Sequence, residues 1–231
     1  MQELRKHRDI KPKYRSLKVV FKQSRSNNEL QLEVTPYSYF FKRLFDFVVA
    51  LLALVVLFPL LFILYFITKY TSKGPAFYYQ KRIGYKGKEF YIFKFRSMVV
   101  NSEERTPQLV SSTGEDVRVT RWGRFMRKHY LDELPQLLNV MRGDMSVVGP
   151  RPERQYFIDK ILDRGGDFTS LLQMRPGITS LGQIRFGYAH SVDQMLQRLK
   201  YEQLYLKRVS FWTDIKIIFN TSVSVIKAKG K

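Results

Sequence analysis

The chain has 231 residues, 40 Lys and Arg against 20 Asp and Glu for a formal net charge of +20, 45% hydrophobic residues and 15% aromatics. It is long enough to bury a real core, and its apolar content excludes a disordered chain or a pure basic tail. It contains no cysteine, which excludes disulfides, thiolate zinc sites and a cysteine nucleophile, while the basic excess predicts anionic company: nucleic acid, lipid headgroups or phosphate-bearing substrates.

Residues 1–35 are basic and polar, from Arg5 through Arg25, and read as an arm that is either solvated or drawn to anionic headgroups. Residues 36–70 form the membrane segment. Its Phe47–Ile67 run holds no charged residue, and at about 1.5 Å per residue a helix of this length reaches roughly 30 Å, one hydrocarbon core. Apolar residues cover every face, unlike a surface helix; a buried core helix is the competing reading. The run starts too far from Met1 for a signal peptide. Pro59 removes one backbone donor, so a kink or break is expected there. Lys42 and Arg43 precede the run, and Lys69, Lys73, Lys81 and Arg82 follow it. Charge therefore gives no orientation for a straight span. A kinked full span and a re-entrant hairpin with both ends in the cytoplasm stay open.

Residues 71–231 read as a cytosolic domain. Ala76–Gly84 and Lys88–Met98 alternate with period two around Gly84–Gly87, which predicts a β-hairpin. Phe90, Ile92, Lys94 and Arg96 share one face of its second strand, so two cations project about 7 Å apart. They are either solvated surface or a phosphate clamp. Val99–Arg118 reads as a polar loop or short helix, and Arg121–Lys128 as a second basic cluster. In Leu131–Ser146, Leu134, Leu137, Leu138 and Met141 recur at helical spacing and Gly143 is a stop signal. Asp132 falls at the N-terminus of that helix, where the macrodipole favours negative charge, and Pro135 is tolerable only in its first turn. Gly149–Glu153 is a stiff turn that presents Arg151 between two prolines; Arg175–Gly177 repeats the device. Two helices follow Asp193. The second, from Phe211, mixes aromatics with lysines and is either interfacial or core-facing. His7, His129 and His190 lack metal-ligand spacing, and no Gly-rich phosphate loop is present.

One constellation suggests chemistry. The adjacent acids Asp132 and Glu133 sit among Lys94, Arg96, Arg127, Arg151 and Arg175. Two carboxylates can hold Mg²⁺ or supply a nucleophile, and several cations can neutralise a diphosphate during phosphoryl transfer. A simple helix N-terminus is the plainer alternative.

The ordered motifs KRLFDFVVALLALVVLFPL, KRIGYKGKEFYIFKFRSM, LDELPQLLNVMRGDMSVVGPRPE and RPGITSLGQ resemble the bacterial sugar transferases, the monotopic phosphoglycosyl transferases, from Tyr39 to about Asn220. The resemblance implies an enzyme on the cytoplasmic face of the bacterial inner membrane. Such an enzyme moves a sugar-1-phosphate from a UDP-sugar to undecaprenyl phosphate, releases UMP, and starts exopolysaccharide, O-antigen or other glycan assembly. It implies that Asp132 is the nucleophile of a covalent phosphosugar intermediate and that Mg²⁺ binds at Asp132 and Glu133. Arg127 then grips phosphate, with Lys94, Arg151 and Arg175 at the family's other basic positions. It also implies a re-entrant helix broken at a Ser-Pro pair.

Two positions depart from the family pattern. The break is Phe58-Pro59, without the serine. After Thr179 an Asn-Gly-Arg segment is missing, and Arg185 is a candidate replacement. The expected fold is α+β: a Pro-broken membrane helix, then a compact domain with a small antiparallel hairpin and interfacial helices. Expected partners are the UDP-sugar, the lipid acceptor and membrane lipids, with no nucleic acid; a homodimer is possible, and the resemblance leaves it open. The competing function is an inactive, membrane-tethered scaffold of a glycan-assembly complex.

Overall fold

The computed structural model describes residues 40–100, 102, 109 and 116–227; the basic arm and most of the loop before Arg118 lie outside them. One long helix, α1 (Phe40–Thr71), leads into a hairpin of β1 (Phe77–Ile83) and β2 (Glu89–Phe95). The two strands pair antiparallel with Tyr78 opposite Lys94. Then come α2 (Arg121–Lys128), a 3-10 turn at Leu131–Gln136 continuing into α3 (Leu137–Arg142), β3 (Ser146–Val148) and α4 (Gln155–Asp163). A second 3-10 turn (Thr169–Gln173), β4 (Gly177–Thr179), α5 (Leu181–Arg185), α6 (Val192–Leu206) and α7 (Phe211–Ile226) complete the order. The α+β fold is as expected.

Local chemistry sets these boundaries. Thr120, Ser180, Ser191 and Ser210 cap α2, α5, α6 and α7, each side chain accepting a hydrogen bond from a first-turn N–H. Gly143 ends α3 in the left-handed conformation at φ +87°, as its position predicts. The parallel pair β3–β4 is not predicted, because three-residue strands are too short to show a periodicity.

Helix α1 runs through Pro59 as one 32-residue element. Among the described residues it is the one helix long and apolar enough to cross a membrane. One stripe of it packs on the compact domain over almost its whole length. Lys42 donates to Asp214 at 2.5 Å, and the Tyr205 hydroxyl donates to the other oxygen of Asp214 at 2.6 Å. Arg43 donates to the carbonyls of Val140 and Met141 at the end of α3, a favourable place for a cation. Asp46 accepts from Ser146 and from the Val147 N–H. Ala50 packs with Ile92, Val140 and Met145, and Leu64 with Phe95 and Met126. Near the far end, Trp122 donates to the Thr68 hydroxyl at 3.0 Å. The opposite stripe, with Val55, Val56, Phe58 and Phe62, is exposed.

The main core gathers Ile83, Phe157, Ile158, Ile161, Leu171 and Leu199 among the hairpin end, α4, the second 3-10 turn and α6. Helix α7 turns Asp214 and Ile217 inward and leaves Trp212 and Phe219 71% and 67% exposed. An outward face this aromatic favours the interfacial reading over the core-facing one.

Candidate active site

The acid pair lies where α2 meets the first 3-10 turn. Tyr130 takes the left-handed conformation at φ 56° and so directs the chain from α2 into Asp132 and Glu133, both buried. Asn139, one turn into α3, is fully buried. Its Oδ1 accepts from the Phe93 N–H at 3.0 Å and its Nδ2 donates to the Tyr91 carbonyl at 2.7 Å. The amide thus clamps β2 to the acid-bearing segment and brings Lys94 alongside, where Nζ donates to Glu133 Oε1 at 2.5 Å.

Arg151 arrives from the opposite side and reaches the same Glu133 oxygen at 3.4 Å. Its turn is held by close backbone packing: a Cβ on Gly177 would stand 2.1 Å from the Gly149 nitrogen, so that position accepts only glycine. The Arg151 N–H donates to the Glu202 carboxylate, which also accepts from Ser180 at 2.7 Å. Beside it, Glu153 bridges Arg82 and Arg198. Glu133 and Glu153 are thus paired and hydrogen-bonded, as burial requires, whereas the second Glu202 oxygen is buried without a partner.

These groups face a cavity of about 490 Å³ lined by Lys94, Arg127, Asp132, Glu133, Arg151 and Tyr188, among others. The two acids differ in charge environment. Burial pushes the Asp132 carboxyl up to about 6, with the Glu133 charge adding to the rise against the pull of Lys94 and Arg127. Burial also acts upward on Glu133, but Lys94 and Arg151 outweigh it and hold that carboxyl well below its usual range. Burial lowers the Lys94 pKa despite both acids. Burial, then the Glu133 charge, raises the Tyr188 hydroxyl far above its usual value. At neutral pH Glu133 is an ionised anchor for cations. Asp132 is a carboxylate near its titration point, and among the described residues Lys94 and Arg151 direct their hydrogen bonds to its neighbour. An ionised, weakly solvated carboxylate among cations suits nucleophilic attack on phosphorus.

The structure brings together Lys94, Arg127, Arg151 and the acid pair. Arg96 lines the same cavity, but its guanidinium donates to the Ser72 carbonyl and hydroxyl at 2.7 and 2.8 Å, fastening the exit of α1. Arg175 lies outside the cavity lining; its Nε donates to the Gly143 carbonyl at 2.9 Å and its guanidinium covers the Tyr85 ring. Arg185 ends α5 and is likewise absent from the lining. Sequence reasoning missed Asn139, Glu202 and the Arg82–Glu153–Arg198 bridge. It also missed Tyr188, whose ring packs near the Arg151 guanidinium and stacks with Tyr130. Asn139 carries no signal either, because at helical spacing it falls beside Gln136 and Arg142, away from the Leu134, Leu138 and Met141 stripe.

Among the described residues no three His, Cys, Asp or Glu side chains cluster as a metal cage. Two adjacent carboxylates nevertheless fit Mg²⁺, which is commonly held by one or two carboxylates together with substrate phosphates.

A model of the bacterial sugar transferase family matches residues 37–228. A UDP-N-acetylgalactosamine-undecaprenyl-phosphate N-acetylgalactosaminephosphotransferase of Aeromonas hydrophila is 38% identical over 197 residues, covering 85% of this chain and 46% of that protein. A UDP-glucose:undecaprenyl-phosphate glucose-1-phosphate transferase of Klebsiella pneumoniae is 40% identical over 190 residues, 78% of this chain and 39% of its own length. The enzyme of that name from Caulobacter vibrioides is 40% identical over 187 residues, 80% of this chain and 69% of its own. The chain therefore spans less than half the length of the first two relatives.

Proposed function

The chain belongs to the bacterial sugar transferase family, and we propose that it transfers a sugar-1-phosphate from a UDP-sugar to undecaprenyl phosphate, releasing UMP. The observation that carries this reading is the unequal acid pair: Glu133 holds Lys94 and Arg151, and Asp132 faces the same cationic cavity without sharing those bonds.

In this reading an Asp132 carboxylate oxygen attacks the phosphorus that bears the sugar. The bond from that phosphorus to the UMP oxygen breaks, and UMP leaves with the electron pair. The sugar phosphate is then an acyl phosphate on Asp132. A phosphate oxygen of the acceptor attacks the same phosphorus, the carboxylate departs, and the product is a lipid diphosphate sugar. Lys94, Arg127 and Arg151 offset the charge that shifts onto the phosphoryl oxygens and the leaving group. Their half-buried setting strengthens each of these contacts. Mg²⁺ would be held by Asp132 and Glu133 with the diphosphate, and would supply further charge neutralisation.

The membrane placement follows the same logic. The apolar stripe of α1 faces outward while the opposite stripe is docked at both Lys42 and Thr68. A helix standing straight across the bilayer would drag the Ile92, Val140 and Met126 packing into hydrocarbon. Docking of both ends therefore supports a re-entrant helix over a straight span; the cytoplasmic face of the inner membrane, and a role in starting glycan assembly, belong to the same proposal.

The test is UMP release by detergent-solubilised protein with Mg²⁺ across a panel of UDP-sugars. Lipid-dependent turnover with one donor, and at most one equivalent of UMP without lipid, is the expected result. Folded protein that releases no UMP from any donor overturns the proposal. The relatives' names span N-acetylgalactosamine and glucose, so the panel also assigns the sugar.

A further inference from the structure

The cavity that holds the acid pair has a second charged centre, which the transfer reaction so far leaves without a role. Seven Lys and Arg side chains line the cavity against three carboxylates, a surplus that the acid pair does not absorb. Lys94 and Arg151 close on Glu133. Arg82 and Arg198 close on Glu153. The hairpin sets the two centres apart. Tyr78 stands opposite Lys94, and Arg82 lies four residues further along the same face of β1, next to the Ile83–Glu153 bridge.

The members of the second centre are not equally satisfied. Arg82 donates to the Gln80 amide oxygen through Nε and Nη2, and to the Pro152 carbonyl and Glu153 through Nη1. Glu153 has both oxygens engaged, Oε2 with Arg82 and Oε1 with Arg198. Arg198 is 6% exposed. Among the described residues it donates one hydrogen bond, from Nη2 to Glu153, and a guanidinium has N–H groups for several more. Glu202, one turn on along α6, attracts Arg198 but accepts no hydrogen bond from it. Burial lowers the Arg82 pKa to about 10, against the pull of Glu153 and with Arg151 and Arg154 adding to the fall. Two guanidiniums, one buried and one nearly so, thus share one carboxylate, with further cations as neighbours. An arriving anion would relieve that cost. Phe157, Ala189 and Met195 line the cavity as well, and such apolar surface strengthens the attraction.

The chemistry selects the anion. The sugar-bearing phosphorus must lie against Asp132, among Lys94, Arg127 and Arg151. In an in-line displacement the leaving group stands on the far side of that phosphorus from the nucleophile. The breaking bond leaves its electron pair on the UMP phosphate, so the new charge grows away from Asp132. A cation that serves it must share the cavity with Asp132 and not be tied to Glu133. Arg198 meets both conditions.

We infer that the Arg82–Glu153–Arg198 centre receives the phosphate of the leaving UMP, with Arg198 donating the hydrogen bonds and Arg82 fixing Glu153 in place. The inference rests on the transferase reading for the identity of the anion, and on the unspent Arg198 guanidinium for its place.

The test is calorimetric titration of UMP with Mg²⁺ into the full chain in nanodiscs. The centre carries one surplus positive charge in the wild type, none in Arg198→Gln, one in the double variant Arg198→Gln with Glu153→Gln, and two in Glu153→Gln. UMP affinity should follow that order. It should fall at least about tenfold in Arg198→Gln and return to within about threefold of wild type in the double variant, where Arg82 is released from Glu153. Glu153→Gln should bind UMP more tightly than wild type. If Arg198→Gln does not fold, the double variant against Glu153→Gln makes the same comparison one charge higher. Wild-type affinity in Arg198→Gln overturns the inference, as does a double variant that binds UMP as weakly as the single, which would make the loss one of structure. No measurable binding of UMP by the wild type overturns it as well. A series that leaves UMP binding unmoved but raises the KM for undecaprenyl phosphate gives the centre to the acceptor and also overturns it. Binding needs no turnover. A series that follows the charge, in a protein that turns over no UDP-sugar, refutes the transferase reading and leaves the subsite standing; turnover with a flat series does the reverse.

Discussion

Two buried lysine–carboxylate pairs stand in this molecule, and they do opposite work. Lys42–Asp214 and Lys94–Glu133 each close to 2.5 Å with little exposure of either partner. The first is sealed: Tyr205 completes Asp214, and both are fully buried. The second opens on the large cavity and shares Glu133 with Arg151, while Asp132 sits next door with a raised pKa. Burial and pairing therefore do not mark a site by themselves. What marks it is surplus charge facing a space that a ligand can enter.

The largest test of that contrast is Asp132→Asn. It should lower turnover by on the order of 10⁴-fold or more and abolish the lipid-independent release of UMP, as loss of a nucleophile does. It should also make the protein more heat-stable at pH 7.5. Folding raises this carboxyl from its usual 3.8 to about 6, so keeping it ionised costs the folded state roughly 1–3 kcal/mol. That cost is complete above pH 6 and fades as pH falls towards 4, so the stability gain of the variant should shrink over the same window. A melting series from pH 4 to 8 measures it; a variant no more stable than wild type at pH 7.5 would contradict the unequal-pair argument.

Lys42→Met should behave in the reverse way. It strands Asp214 without its cation and should cost about 3–5 kcal/mol, whereas adding Asp214→Leu should restore most of the loss. Turnover per folded molecule should stay near wild type in the double variant, which thermal inactivation and active-site titration can separate. Next in size, Asn139→Leu leaves the Phe93 N–H and the Tyr91 carbonyl without partners. It should cost about 2–3 kcal/mol and should also raise the donor KM through a displaced Lys94. The smallest effect is a shift of a pH profile. The acid limb of kcat/KM should fall near pH 6, and Lys94→Gln should move it upward, because Lys94 is the main charge holding the Asp132 pKa down. A limb that moves downward would reverse the assigned interaction.

The sequence announces what is periodic or composed of special residues. The apolar run of α1, the alternating hairpin, the Leu134–Met141 spacing and the Gly143 stop all show themselves in this way. It does not announce what depends on where a long side chain ends. Lys94 lies on β2 and Arg96 just past its end, two residues on, yet one points its charge at Glu133 and the other at Ser72. Arg175, set before a proline like Arg151, turns to the Gly143 carbonyl instead of the cavity. Tyr188 and Glu202 come from segments with no motif, and only packing brings them to Arg151. The clamp by Asn139 joins residues 46 and 48 positions apart, beyond the reach of any local pattern.

The Lys42–Asp214 staple also sets a schedule for biogenesis. Its partners are separated by 172 residues, so at ordinary synthesis rates the lysine waits on the order of 10–30 s for its carboxylate to be made. Throughout that interval the Lys42 ammonium has no carboxylate partner, and its flexible stem lets the charge stay in a polar environment. Arg43, Asp46 and Thr68 find their partners in residues made much earlier, so the Lys42 staple is the last of these α1 contacts to become available. A chain that stops before α7 therefore leaves α1 held through Asp46 and Thr68 but without its Lys42 staple.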